Sequence, residues 1–150
     1  MQRVVVATDR SETAERAVRW AADLARSFSG ELVLVQVIAQ SSDQPEDAAD
    51  FGRAAAVELA AVELTRIAED LAGDRGRARV VVAESPAEGI VGVDQEEGAD
   101  VIVGGNAGMS GNKKFLLSNV PNRITHMARC TVVTVNTTDG LAATHKGGAP

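Results

Sequence analysis

The chain contains few of the residue types that form disulfides, bind zinc or stack on planar ligands. Its 150 residues include a single cysteine, Cys130, so no internal disulfide can form, and a reducing cytoplasm is the expected location. One cysteine and two histidines do not supply a zinc-ligand pattern, and we expect no structural metal. Aromatic residues make up 3% of the chain, without tyrosine, which leaves little surface for stacking a flavin or single-stranded nucleic acid.

Positive charge and long apolar runs are also scarce. With 15 Lys and Arg against 21 Asp and Glu, the net charge of -6 argues against a protein that binds nucleic acid or an anionic membrane surface. No apolar run approaches the roughly 20 residues of a membrane helix, and the run after Arg3 is too short for a signal sequence. A composition of 45% hydrophobic and 24% charged residues indicates a single globular domain.

Strand and helix patterns alternate along the chain. Short β-branched runs predict five strands, at residues 4–7, 32–38, 80–83, 100–103 and 131–135. Helical spacing of apolar residues predicts four helices, at residues 14–28, 51–71, 86–97 and 117–127, with a surface loop at residues 40–47. Ser11 and Ser85 are expected N-caps, and Gly30, Gly73 and Gly98 are expected to end the first three helices.

These strands carry apolar residues without alternation, as expected of strands that are covered on both faces. Long crossovers favour parallel pairing, so the pattern predicts an open α/β sheet with helices on both faces. The domain is expected to span residues 1–136, and the tail at residues 137–150, which has no periodicity, is expected to be mobile.

A glycine-rich stretch follows the fourth strand. Gly105 and Gly108 precede nine residues and then Ser118, where a helical pattern begins, so backbone amides can face an anionic ligand above a helix N-terminus. In open α/β sheets, ligands bind beyond the carboxyl ends of the strands where the strand order reverses. Asp9 directly follows the first strand and Gly105 the fourth. If those two strands are neighbours, the two loops form the walls of one crevice.

Each of these features also has a plainer structural interpretation. The glycine stretch would then be a simple connection between a strand and a helix, and Asp9 would hydrogen-bond within its own turn. Val37, an apolar residue of the second predicted strand, would be part of the core. Cys130 is more typical of a small buried residue than of a nucleophile. The pair at residues 96–97, both glutamates, is most simply solvated.

Together, the segment Ala7-Thr8-Asp9-Arg10-Ser11-Glu12, Val37 and the glycine stretch resemble the universal stress protein family over roughly the first 136 residues. The resemblance implies a Rossmann-like parallel sheet of strand order 3-2-1-4-5 and a homodimer formed through the last strand, Thr131–Val135. In the nucleotide-binding branch of the family, the residue matching Asp9 approaches the ribose, the residue matching Val37 borders the adenine, and the glycine loop wraps the phosphates. The nucleotide-binding residues implied in this way are Ala7, Thr8, Asp9, Val37, Gly105, Gly108, Ser118, Asn119 and Val120.

One departure concerns the end of the glycine motif, where Ser118 and Asn119 stand in place of a third glycine and a hydroxyl residue. A serine keeps its backbone N–H, but its Cβ adds bulk where a phosphate would approach. The resemblance implies an ATP-binding regulatory protein of the stress response that acts through binding, with at most slow ATP hydrolysis and Mg²⁺ only alongside the nucleotide. AMP or cyclic AMP as the ligand is one alternative. A dimeric interaction module without nucleotide is another.

Overall fold

The structure is a computed structural model that describes residues 2–40, 46–106 and 119–137. Its strands and helices are, in chain order, β1 (Arg3–Ala7), α1 (Glu12–Ser27), β2 (Glu31–Ala39), α2 (Glu46–Ala72), β3 (Gly76–Ala83), α3 (Pro86–Glu97), β4 (Val101–Gly105), α4 (Asn119–Met127) and β5 (Thr131–Val135). A single 3-10 turn, Gly73–Arg75, joins α2 to β3. In this part of the chain, no helix is both long and apolar enough to span a membrane.

The five strands form one sheet in the order β3-β2-β1-β4-β5, and every adjacent pair is parallel. This confirms the predicted open α/β fold and its strand order. In the centre of the sheet, Val5 pairs with Val33 on one side and Ile102 on the other. Alternate residues of each strand point to opposite faces, so one apolar core forms under α1 and α2 and the other under α3 and α4.

The predicted caps of α1 and α3 are confirmed. Ser11 Oγ accepts a hydrogen bond of 3.2 Å from Ala14 N, and Ser85 Oγ accepts one of 3.2 Å from Glu88 N. Gly98 ends α3 in the left-handed conformation, with φ of 67°. These local signals succeed because a cap satisfies backbone groups within one turn of its own residue.

Gly30 has a different role from the predicted helix stop. α1 ends at Ser27, and Ser29 takes the left-handed conformation with φ of 57°. A Cβ on Gly30 would lie 2.8 Å from the carbonyl oxygen of Gln2. A residue with a Cβ would not fit at position 30, because the chain entering β2 passes close to the backbone of Gln2, which precedes β1.

Several elements extend beyond their predicted ends. α2 begins at Glu46, within the predicted loop. β4 continues through Gly104 and Gly105, which pair with Thr134 and Val135. The ladder between β4 and β5 uses backbone groups alone, so glycines can continue a strand that a side-chain pattern ends earlier.

The prediction of a solvated pair at residues 96–97 is wrong for Glu97, whose side chain is only 10% exposed. Arg77 Nη2 lies 2.6 Å from Glu97 Oε1, and Arg79 Nη1 lies 2.9 Å from Glu97 Oε2. Two residues apart on β3, the arginines point to the same face of the sheet, towards the end of α3. Glu97 therefore anchors α3 to an edge strand.

Candidate functional site

A cavity of about 450 Å³ opens at the carboxyl ends of the strands, between the sheet and the first turns of α3 and α4. Its volume lies within the range of about 300–1,000 Å³ that is usual for small-molecule sites. It spans the position where β1 and β4 are neighbours and their chain connections leave in opposite directions, which is where open α/β sheets bind ligands.

One wall of the cavity is apolar and is formed by β2, the end of β3 and α3. Val37, Ala83, Ala87 and Ile90 contribute to this wall. α3 approaches β2 closely at Gly89, where a Cβ would lie 2.8 Å from Val37 Cγ2. The absence of a side chain on Gly89 thus sets the distance between the helix and Val37.

The loop after β1 forms a polar rim. Ser11 N donates to Asp9 Oδ1 at 2.9 Å, and Arg10 N donates to Thr8 Oγ1 at 2.9 Å. Arg10 has a φ of 71°, and its Nη1 lies 2.9 Å from Glu63 Oε1 on α2. These bonds turn the chain sharply into α1 and hold the Asp9 carboxylate at the edge of the cavity. Asp9 Oδ2 accepts no hydrogen bond from the described part of the chain.

Gly104 and Gly105 occupy the cavity rim at the end of β4. Val103 belongs to the core under α1, whereas Ile102 belongs to the other core and lines the cavity. Strand alternation therefore directs the Cα hydrogen of Gly104 into the cavity, and a Cβ there would meet no atom within 4 Å.

Gly105 faces the other way and contacts the chain beyond β5. A Cβ on Gly105 would lie 3.1 Å from Cγ2 of Thr137, which is fully buried. The amide N–H of Thr137 donates to Asn106 Oδ1 at 2.9 Å. The two glycines therefore have separate roles, since one leaves the cavity open and the other accommodates Thr137.

The first two turns of α4 supply the remaining wall. Val120, Pro121 and Ile124 present apolar surface, and Arg123 is the one cationic residue among the described lining residues. Arg123 Nη2 lies 3.7 Å from Glu88 Oε2 on α3, so this pair of charges connects the two helices beside the cavity.

The structure brings six of the nine predicted site residues together around this cavity. These six are Ala7, Thr8, Asp9, Val37, Gly105 and Val120. Asn119 begins α4, but its side chain lies outside the described part of the structure, as do Gly108 and Ser118 as whole residues.

Sequence reasoning missed Gly104 and the wall contributed by α3, and it left Arg123 open between a phosphate-attracting charge and a solvated surface residue. Gly104 directly precedes a motif glycine, and strand alternation was a usable signal for its direction. The α3 wall had no local signal, because an apolar helix face is equally typical of core packing.

Cys130 lies away from the cavity and is not an activated nucleophile. Burial and the neighbouring Asp94 carboxylate, 3.3 Å from Sγ, raise the pKa of the thiol to about 12. The interpretation of Cys130 as a packing residue is consistent with this, because a reactive cysteine needs a lowered pKa. Across residues 2–40, 46–106 and 119–137, no three His, Cys, Asp or Glu side chains are grouped to hold a metal ion.

Comparison with known proteins identifies relatives along nearly the whole chain. The universal stress protein Rv1636 of Mycobacterium tuberculosis is 30% identical over 142 residues, which cover 90% of this chain and 96% of the relative. A universal stress protein solved in complex with cAMP is 27% identical, with a TM-score of 0.65 and coverage of 91% of this chain and 98% of the other. The hypothetical protein MJ0577 is 26% identical with a TM-score of 0.76, covering 92% and 97%.

Residues 1–136 match the profile of the Universal stress protein family. This match covers all five strands of the sheet and every described residue of the cavity except Thr137. The chain belongs to the universal stress protein family.

Proposed function

We propose that this protein binds an adenine nucleotide in the cavity at the carboxyl ends of its strands and acts through binding rather than turnover. The observation that carries the proposal is the combination of an apolar wall, a carboxylate rim and a glycine-lined opening in one cavity of about 450 Å³. Ligand sites are typically concave and mostly apolar, with a few polar groups that fix orientation. The relative solved with cAMP, at 27% identity, supports an adenine nucleotide as the ligand class.

Each part of the nucleotide has a matching part of the cavity. The adenine ring lies against Val37 and the α3 wall, where its faces meet apolar side chains. The ribose hydroxyls donate to Asp9 Oδ2, because Asp9 Oδ1 already accepts from Ser11. Ala7 and Thr8 line the cavity beside the ribose.

The phosphates lie at the glycine end of the cavity. Gly105 and Val120 border this end, and Gly108, Ser118 and Asn119 complete the phosphate-binding segment in the proposal. Backbone N–H groups before a helix bind phosphate well because the helix dipole adds positive potential there. Ser118 retains its N–H and adds a hydroxyl, so it keeps a donor where the family motif has its third glycine.

ATP is the proposed ligand, with Mg²⁺ entering only with its phosphates. Cyclic AMP is the second candidate, since the 27% identical relative was solved in complex with it. AMP would make the same adenine and ribose contacts with fewer phosphate contacts. These three ligands differ in phosphate charge, so their relative affinities report on the phosphate end of the site.

Binding without turnover is supported by the side chains that line the cavity. Among the described lining residues, the only carboxylates are those of Asp9 and Glu84, and there is no histidine or cysteine. Asp9 is occupied by its own turn and by the proposed ribose contact. In the proposal, nucleotide binding instead shifts the equilibrium between conformations of the protein, and these conformations present different surfaces to a partner during a stress response.

A homodimer through β5 is part of the proposal, because β5 is the edge strand of the sheet beside β4. An edge strand presents unpaired backbone groups that can pair with a second copy. We expect the protein to act in the cytoplasm, where its single cysteine remains reduced.

The proposal is tested by calorimetric titration of the purified protein with ATP, AMP and cyclic AMP, with GTP as the control for the base. Denaturing a separate sample and identifying released nucleotides by mass spectrometry shows what co-purifies. We expect adenine nucleotides to bind more tightly than GTP. If none binds up to millimolar concentration, the nucleotide proposal is wrong and the dimeric interaction module becomes the favoured function.

A further inference from the structure

Only one positively charged side chain lines the described part of the cavity, that of Arg123 in the second turn of α4. The two other charged lining residues, Asp9 and Glu84, are carboxylates. Because the chain carries a net charge of -6, an anionic ligand entering this cavity needs a local cation to offset repulsion. A guanidinium suits this role, because its planar fork donates two parallel hydrogen bonds to a phosphate.

The contact between Arg123 and Glu88 is loose. Arg123 Nη2 and Glu88 Oε2 are 3.7 Å apart, which is longer than a hydrogen bond, and the side chains are 51% and 52% exposed. Ion pairs this exposed contribute little to stability. Arg123 can therefore leave Glu88 for a ligand without weakening the fold.

We propose that Arg123 contacts the phosphate of the bound nucleotide and that Glu88 competes for the same guanidinium. The pair then sets how strongly the site prefers a nucleotide over the corresponding nucleoside. This inference rests on the proposed function, since it requires an adenine nucleotide in the cavity.

The guanidinium of Arg123 lies beside Glu88 on α3, and its charge together with its position on α4 favours phosphate over adenine as its partner. Arg123 lies on α4, three residues after Val120 and close to the helix start that borders the phosphate end in the proposed arrangement. The adenine end is formed by β2 and by α3, which supply apolar wall residues. A charged group gains more from a phosphate than from an apolar pocket that already accommodates the base.

Three variants and the wild type test the inference by calorimetry with adenosine, AMP and ATP at one ionic strength. We expect Arg123→Gln to weaken AMP and ATP binding about tenfold while leaving adenosine unchanged, because it removes a charge-assisted bond. Glu88→Gln should strengthen AMP and ATP binding about two- to threefold, because it removes the competitor. Arg129→Gln is the matched control, since it removes the same charge at an exposed residue that does not line the cavity.

Thermal unfolding of each variant checks that the fold is retained. Equal weakening of adenosine and AMP by Arg123→Gln would assign the residue to the base and overturn the inference. Equal effects of Arg123→Gln and Arg129→Gln would reduce the result to net charge and also overturn it. If the wild type binds no adenine nucleotide, the proposed function fails together with the inference, whereas the two preceding outcomes leave the proposed function intact.

Discussion

Gly89 on α3 packs directly against Val37 on β2, so closely that a Cβ at residue 89 would lie 2.8 Å from Val37 Cγ2 and 3.0 Å from Cγ1. Val37 is β-branched and cannot move its methyl groups aside without a rotamer change or a backbone shift. The helix therefore holds in place the side chain that borders the adenine in the proposed complex.

Replacing Gly89 by alanine is expected to lower the free energy of unfolding by about 1–3 kcal/mol, because the extra methyl overpacks the contact. Nucleotide affinity should fall as well, since Val37 must shift. The matched control is Gly92→Ala in the same helix, where a Cβ meets no atom within 4 Å. That control should be neutral or stabilising by about 0.5–1 kcal/mol, because alanine favours the helix. Urea unfolding distinguishes them, and equal stability of the two variants would contradict the prediction.

Substitutions at Gly104 and Gly105 are expected to have different effects, the first on nucleotide affinity and the second on the stability of the fold. Gly104→Val places a side chain in the cavity and should raise the nucleotide Kd about five- to hundredfold with little change in stability. Gly105→Val adds atoms against Thr137, already 3.1 Å from the Cβ position, and should destabilise the fold by about 1–3 kcal/mol. Calorimetry and urea unfolding on both variants measure this. Loss of stability in Gly104→Val with unchanged affinity would show that its direction has been misassigned.

Glu97 is expected to make stability depend on acid pH. Burial of its carboxyl disfavours the charged form, but hydrogen bonds from Arg77 and Arg79 outweigh this and hold its pKa below the ordinary value of 4.5. A carboxyl with a lowered folded-state pKa stabilises the protein above its unfolded pKa, and that contribution is lost as pH falls through the folded pKa. The free energy of unfolding should therefore decline as pH drops below about 4.5.

Glu97→Gln should cost about 1–2 kcal/mol at neutral pH and flatten the decline in acid. Its neighbour supplies the control. The Glu96 side chain is 65% exposed, although its Oε1 lies 2.5 Å from Arg79 Nη2. Glu96→Gln should change stability by less than about 1 kcal/mol. Urea unfolding between pH 3 and 7 measures both variants, and an unaltered acid profile in Glu97→Gln would rule out the assignment.

Dimerisation through β5 is expected to depend on the backbone N–H and C=O groups that point away from β4, which belong to every second residue of the strand. Asn106 N donates to Val135 O, so the backbone groups of Val135 and Val133 point towards β4, and those of Thr134 point to the outer edge. Thr134→Pro should therefore disrupt a dimer while retaining the ladder with β4. Val133→Pro should instead weaken the fold itself. Light scattering gives the mass of each variant, and a monomeric wild type would exclude the dimer.

Local patterns predicted much of the fold. The run Thr131–Val135 has the predicted bounds, and the caps at Ser11 and Ser85 are where the sequence places them. Strand order needed the family resemblance, because periodicity shows which residues face a core but not which strands are neighbours. The start of α2 and the end of β4 were missed, and β4 is longer than its side-chain pattern indicates because its glycines pair with β5 through backbone groups.

By itself, the sequence determined the alternation of strands and helices, the burial of the sheet on both faces and the placement of Asp9 and Gly105 at the same rim. These follow from short-range periodicity and from the geometry shared by parallel sheets. Only the tertiary structure decided which side chains meet, because such contacts depend on register and on the distance between helix and sheet. It directed Gly104 into the cavity and Gly105 towards Thr137, buried Glu97 between two arginines, and set Arg123 beside Glu88 at the cavity wall.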